Sequence, residues 1–106
     1  MLKPQYHPSL YLSEGITNKK LDKIKKNLEN HPIRARVYLI AAAANGVDQL
    51  EIYSSSQLEQ PYYSKNPPYI IGITLSYDEA VIIIEQLAQE CYRKRGDCAL
   101  REYLSC

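Results

Sequence analysis

The side chains that could do chemistry are few, and most have a structural explanation. The chain has two histidines. His7 lies between Pro4 and Pro8 in a segment with no periodicity, and His31 stands before Pro32 at the end of a helical pattern, where an imidazole caps carbonyls. Cys91 falls on the apolar stripe of a helix and reads as a small buried hydrophobe, Cys98 follows Gly96-Asp97 and reads as partly exposed, and Cys106 is the last residue. Their spacing fits no zinc ribbon or finger, so no metal site is expected. A Cys98–Cys106 disulfide would require oxidising conditions.

The carboxylates are similarly accounted for. Asp78 and Glu79 belong to a helix start, Glu85 and Glu90 to the polar side of that helix, and Glu51 to a strand. No carboxylate pair stands isolated in an apolar run, where a raised pKa would mark an acid–base site. No dinucleotide, Walker, zincin or EF-hand pattern occurs, so no cofactor and no catalytic residue is assigned. A site around Cys98 is the residual enzymatic alternative.

What remains is a set of arginines and tyrosines. The chain has ten tyrosines and no Trp or Phe. Arg34, Arg36 and Tyr38 share one parity in a period-two segment, and Tyr53 falls opposite Tyr38 if Asn45-Gly46 forms a two-residue turn. Tyr62 and Tyr63 stand in a Ser-, Gln- and Pro-rich stretch, 54–68, stiffened by Pro61 and Pro67-Pro68. Tyrosine and arginine recur at interfaces because they give large contact area with a polar tip.

Several elements must position these residues. Residues 1–9 read as a flexible tail, and 10–106 as one domain. Leu10–Leu12 reads as an edge strand, followed by a break at Ser13-Glu14-Gly15. Thr17 or Asn18 caps a helix whose Leu21, Ile24 and Leu28 form one apolar stripe, and His31-Pro32 ends it. A strand is predicted from Ile33 to about Ala42, and after Asn45-Gly46 a second from Val47 to about Ser54.

A two-residue turn pairs Leu39 with Ile52, Ile40 with Glu51 and Tyr38 with Tyr53. Ile33, Val37, Leu39, Ala41, Leu50 and Ile52 then face the core. The other face carries Arg34, Arg36, Tyr38, Ile40, Glu51 and Tyr53. The stretch 54–68 reads as a long loop with a possible turn at Gln57–Gln60.

Tyr69–Leu75 is apolar and β-branched, a central strand with Ile71, Ile73 and Leu75 inward. Ser76 and Glu79 form a capping box for a helix that runs to about Arg95, with Gly96 just past its end. Ala80, Ile83, Ile84, Leu87 and Cys91 form its core stripe, and Ile82 lies outside it. Residues 97–106 read as a short strand or a helical turn.

The order βαββ-β-α(β) predicts an α+β fold. It resembles a variant of the ferredoxin-like order: a two-layer α/β sandwich of four or five mostly antiparallel strands with two helices on one face. Such a domain leaves the tyrosine–arginine face for a second copy, for the chain's own tail or 54–68 segment, or for a ligand.

Composition narrows the function classes. Thirteen Lys and Arg against twelve Asp and Glu give a formal charge of +1, which excludes a strongly basic nucleic-acid domain and an acidic tail protein. No apolar run approaches the ~18 residues of a membrane span, and no signal-peptide core is evident at the start. Lys19, Lys23 and Lys26 line one side of the first helix, but Asp22 and Glu29 dilute that field. The leading expectation is a small non-enzymatic interaction or regulatory module in the cytoplasm. It would self-associate or bind a protein partner through Arg34, Arg36, Tyr38 and Tyr53 on an open sheet face, with Tyr62 and Tyr63 beside it. The alternative is a single-stranded nucleic-acid binder using the same residues.

Overall fold

The computed structural model describes residues 4–43 and 49–104. The fold is α+β: a four-stranded mixed sheet in the order β1-β4-β2-β3, with helices packed on it. The strands are β1 (Gln5–Leu12), β2 (Tyr38–Ala42), β3 (Leu50–Ser54) and β4 (Tyr69–Thr74). The helices are α1 (Asn18–Asn30), α2 (Pro61–Lys65), α3 (Tyr77–Arg95) and α4 (Leu100–Tyr103). No helix among the described residues is long and apolar enough to cross a membrane.

The helix ends follow the capping chemistry. Thr17 caps α1, its hydroxyl accepting from the Lys20 N–H at 3.2 Å. Pro32 cannot continue α1 and opens a 3₁₀ turn over Pro32–Arg34 instead. Ser76 caps α3 by accepting from the Glu79 N–H at 3.2 Å. Gly96 closes α3 at φ 78°, a left-handed conformation that a side chain would oppose.

β2 and β4 form the centre of the sheet, and both of its faces are filled. Leu39 and Ile40 are consecutive in β2, so their side chains point to opposite faces, and both are fully buried. Leu39 packs with Val37, Ile70 and Ile73 against Ile24 and Leu28 of α1. Ile40 packs with Ile71 against Ala80, Leu87 and Cys91 of α3 and Leu100 of α4. The sheet with α3 and α4 thus makes a two-layer α/β unit. The first helix does not join that layer. It lies across the opposite face, together with Leu58 and Tyr63 from the 54–68 segment.

The structure departs from the sequence expectation at several positions. Residues 5–9 are not tail: β1 begins at Gln5 and pairs in parallel with β4, from Gln5 opposite Tyr69 to Leu12 opposite Ile73. The ladder shifts register between Tyr6 and Tyr11, the interval that holds Pro8, which has no N–H to donate. The β2–β3 ladder lies one residue from the two-residue-turn register, with Ile40 opposite Ile52 and Leu39 opposite Tyr53. The Asn45-Gly46 turn itself lies outside the described residues, as does Cys106. β2 is apolar on both faces, so its own sequence carries no alternation that would select the other register.

Ile33 is not in a strand or in the core. It stands in the 3₁₀ turn, 58% exposed. Leu75 is exposed beyond the end of β4. A register shift at Ile40–Ala41 lets β4 send Ile70 and Ile73 to the α1 face and Ile71 to the α3 face. The 54–68 stretch holds a 3₁₀ helix (Ser55–Glu59) and α2. Of residues 97–106, Leu100–Tyr103 are helical rather than extended.

Gly72 marks a close approach of β4 to β1. A Cβ there would meet the Tyr11 carbonyl oxygen at 2.9 Å and the Ile40 Cδ1 at 3.1 Å. The backbone contact cannot yield without moving β1. Gly72→Ala is therefore expected to destabilise the fold by about 1–3 kcal/mol, read as a lower urea midpoint at unchanged slope.

Candidate functional site

The residues expected to act together separate into three places. Arg34 and Arg36 stay together, joined by Ile33. In the 3₁₀ turn the Arg34 N–H donates to the His31 carbonyl at 2.9 Å and the Ala35 N–H to the Pro32 carbonyl at 3.0 Å. The Ile33 N–H donates to Glu59 Oε1 at 3.1 Å, tying the turn to the 3₁₀ helix of the 54–68 segment. The Val37 N–H donates to Ser55 Oγ at 3.3 Å, and the Ser55 N–H returns a bond to the Val37 carbonyl at 2.9 Å.

Ala35 and Val37 point into the core, so Ile33, Arg34 and Arg36 point out. They line an open hollow of about 560 Å³. Arg36 holds φ at 53°, the one positive φ outside glycine among the described residues. A left-handed L-residue costs roughly 1–2 kcal/mol, and such strain persists where the surrounding structure enforces it. No ion pair within the described residues occupies either guanidinium.

Tyr53, Tyr62 and Tyr63 come together on the α1 face. Tyr53 and Tyr63 meet edge to face at 5.6 Å between centroids, and Tyr63 and Tyr62 at 5.1 Å. The Tyr53 hydroxyl donates to the Glu51 carboxylate. Burial first, and that carboxylate second, raise the Tyr53 phenol well above its ordinary value. Tyr53 and Tyr63 are half-buried, whereas Tyr62 is 53% exposed. Tyr38 lies on the other face, opposite Thr74 and edge-on to Tyr77 at 6.0 Å. Tyr38 and Tyr53 therefore share no platform, and the open tyrosine face that was expected does not exist.

Sequence reasoning missed Ile33 because the alternation from Ile33 to Ala41 resembles a strand. The available signal was His31-Pro32, since a proline at the first position of a turn favours helical geometry over extension.

A second cluster lies where β1 meets α4. Ser9 N–H donates to His7 Nδ1 at 3.0 Å, and His7 Nε2–H donates to the Leu104 carbonyl at 3.0 Å. Both ring nitrogens are occupied, so His7 joins β1 to the residue that caps α4. Tyr11, Tyr69 and Tyr103 line the hollow beside it, about 460 Å³ in volume. The Tyr103 hydroxyl donates to Glu90 Oε1 at 2.5 Å, and Lys94 Nζ pairs with the same oxygen at 3.1 Å. The Tyr103 bond, then Lys94, holds the Glu90 carboxyl below its ordinary range.

Cys91 and Cys98 follow their sequence assignments. Cys91 is buried, its thiol pushed up first by burial and then by Asp97, and Cys98 is exposed. Among the described residues, no group of three or more His, Cys, Asp and Glu side chains could hold a metal ion. Comparison with family models, with curated proteins and with solved structures finds no match to this chain.

The Glu90 contacts make a titration test. Tyr103→Phe removes the largest cause of the lowered carboxyl, so the Glu90 midpoint should rise toward the ordinary glutamate value while Lys94 keeps part of the effect. Carbon-detected NMR of the Glu90 side chain reads this directly. An unchanged midpoint would show that the hydroxyl contact is not populated in solution.

Proposed function

We propose that the protein is a small interaction module whose contact surface is the hollow of Ile33, Arg34 and Arg36. One observation carries this reading: a large apolar side chain, 58% exposed, lines one hollow with two arginines, one of them held in a strained backbone just beyond the turn. An exposed apolar anchor beside arginine is the composition of an interface centre, and arginine is enriched at such hot spots. Guanidinium forks suit carboxylates, so the partner should offer an acidic residue beside an apolar one, as in an acidic peptide segment.

The cysteine spacing, free of disulfide or metal patterns, supports a cytoplasmic setting. A single-stranded nucleic acid is the weaker alternative, because its stacking platform needs Tyr38 and Tyr53 on one face.

Peptide-display selection on the immobilised protein should enrich sequences that pair Asp or Glu with an aliphatic or aromatic residue. Arg34→Ala with Arg36→Ala should weaken the selected peptides by about tenfold or more, and Ile33→Ala by a similar factor. Selection that ignores both changes would overturn the assignment.

Arg36→Gly separates function from stability. It should relieve the backbone and leave stability unchanged or raised by up to about 1 kcal/mol, because glycine's greater freedom when unfolded offsets part of the gain. It should also weaken peptide binding, as measured by calorimetry alongside urea unfolding.

A further inference from the structure

We propose that the free edge of β3 is a self-association surface that pairs antiparallel with β3 of a second copy, extending two four-stranded sheets into one of eight strands. β3 closes the strand order, and within the described residues nothing pairs with its outer edge. The ladder fixes which backbone groups face outward. Ala43 N–H donates to the Gln49 carbonyl at 3.1 Å, and Ser55 N–H to the Val37 carbonyl at 2.9 Å. Hydrogen-bonded and non-bonded pairs alternate along an antiparallel ladder, so the register makes Ala41–Glu51 and Leu39–Tyr53 the bonded pairs between them. Leu50, Ile52 and Ser54 therefore point their N–H and C=O groups away from β2. The Ser54 N–H is already held by Gln57 Oε1 at 2.8 Å. Leu50 and Ile52 present outward donors, with the carbonyls of all three residues beside them.

Charge and donor supply select one two-fold register. With the axis at Glu51, the two carboxylates would stand directly opposite, an unfavourable like-charge pair. With the axis at Tyr53, the Leu50 donor would lie outside the ladder and the occupied Ser54 donor would be required. With the axis at Ile52, each Ile52 exchanges both bonds with its equivalent, and each Leu50 N–H reaches the Ser54 carbonyl of the second copy. Glu51 then stands opposite Tyr53 of the second copy. The phenol that already donates to Glu51 within one chain gains an alternative acceptor across the axis. β3 carries no proline and one charge, so it lacks the usual devices that blunt an edge. This edge is distinct from the hollow at Ile33, and either surface can fail without the other.

Light scattering on a sizing column should give the mass of two chains as the concentration rises from about 10 μM to about 1 mM. Over the same range the Leu50 and Ile52 amides should exchange about tenfold or more slowly, while the Glu51 and Tyr53 amides, bonded to β2, stay protected throughout. Ile52→Pro removes an outward N–H, which an edge strand tolerates, together with part of the apolar packing on the α3 side, and should leave a folded single-chain mass. If that variant does not fold, the wild-type exchange pattern decides alone. A one-chain mass at every concentration would overturn the proposal. So would a two-chain mass with Leu50 and Ile52 still exchanging freely, or a folded Ile52→Pro that remains a pair.

Discussion

Burial of β2 on both faces is the constraint on which the rest of the structure depends. A central strand holding Leu39 and Ile40 side by side, both without exposure, must have packing partners above and below. One helix cannot meet that need. α3 supplies Ala80, Leu87 and Cys91 to one side, and α1 supplies Ile24 and Leu28 to the other. The 54–68 segment completes the α1 side, with Leu58 and Tyr63 closing the core that the single 13-residue helix leaves open. The chain has room for only a small core, so dividing it between two faces leaves few apolar residues to spare. Those left outside, Ile33 above all, are correspondingly informative.

The hollow is built by the same packing. Ala35 and Val37 are held inward, and the hydrogen bonds from Ile33 to Glu59 and from Val37 to Ser55 fasten both sides of the turn. Arg36 lies between these anchors and must take the left-handed conformation that joins the turn to β2. That backbone sets the direction in which its side chain leaves the chain.

The elements with chemical punctuation were legible in the sequence. Thr17, Ser76 and Gly96 mark helix ends through side-chain or backbone requirements that do not depend on the fold, and all three occupy the predicted positions. The near-continuously apolar run Tyr69–Leu75 reads as a central strand and forms one over Tyr69–Thr74, although the reading sends only Ile71, Ile73 and Leu75 inward. The same logic applied to Tyr38–Ala42, but the arginines before it and the Asn-Gly pair after it imposed an alternating pattern. That pattern fixed both the wrong register and the open face. The candidate site was legible as residue types. Arg34 with Arg36, and Tyr53 with Tyr62 and Tyr63, do cluster. Their separation from one another was not legible, because it depends on which side of the sheet α1 lies, and no local signal encodes that.

Pro8 gives the sheet a direction. It sits in β1, the edge opposite β3, within a register shift, and offers no donor to an incoming strand. One border of the sheet is therefore interrupted, while the other, along β3, is regular. Addition of strands at both borders would allow unlimited head-to-tail growth, the route to fibres. A sheet that can extend from one border only forms a closed pair, because the second copy again presents an interrupted border on each outer side. Under the pairing proposed for β3, a single proline would set an upper limit on assembly size without contacting the surface where assembly would take place.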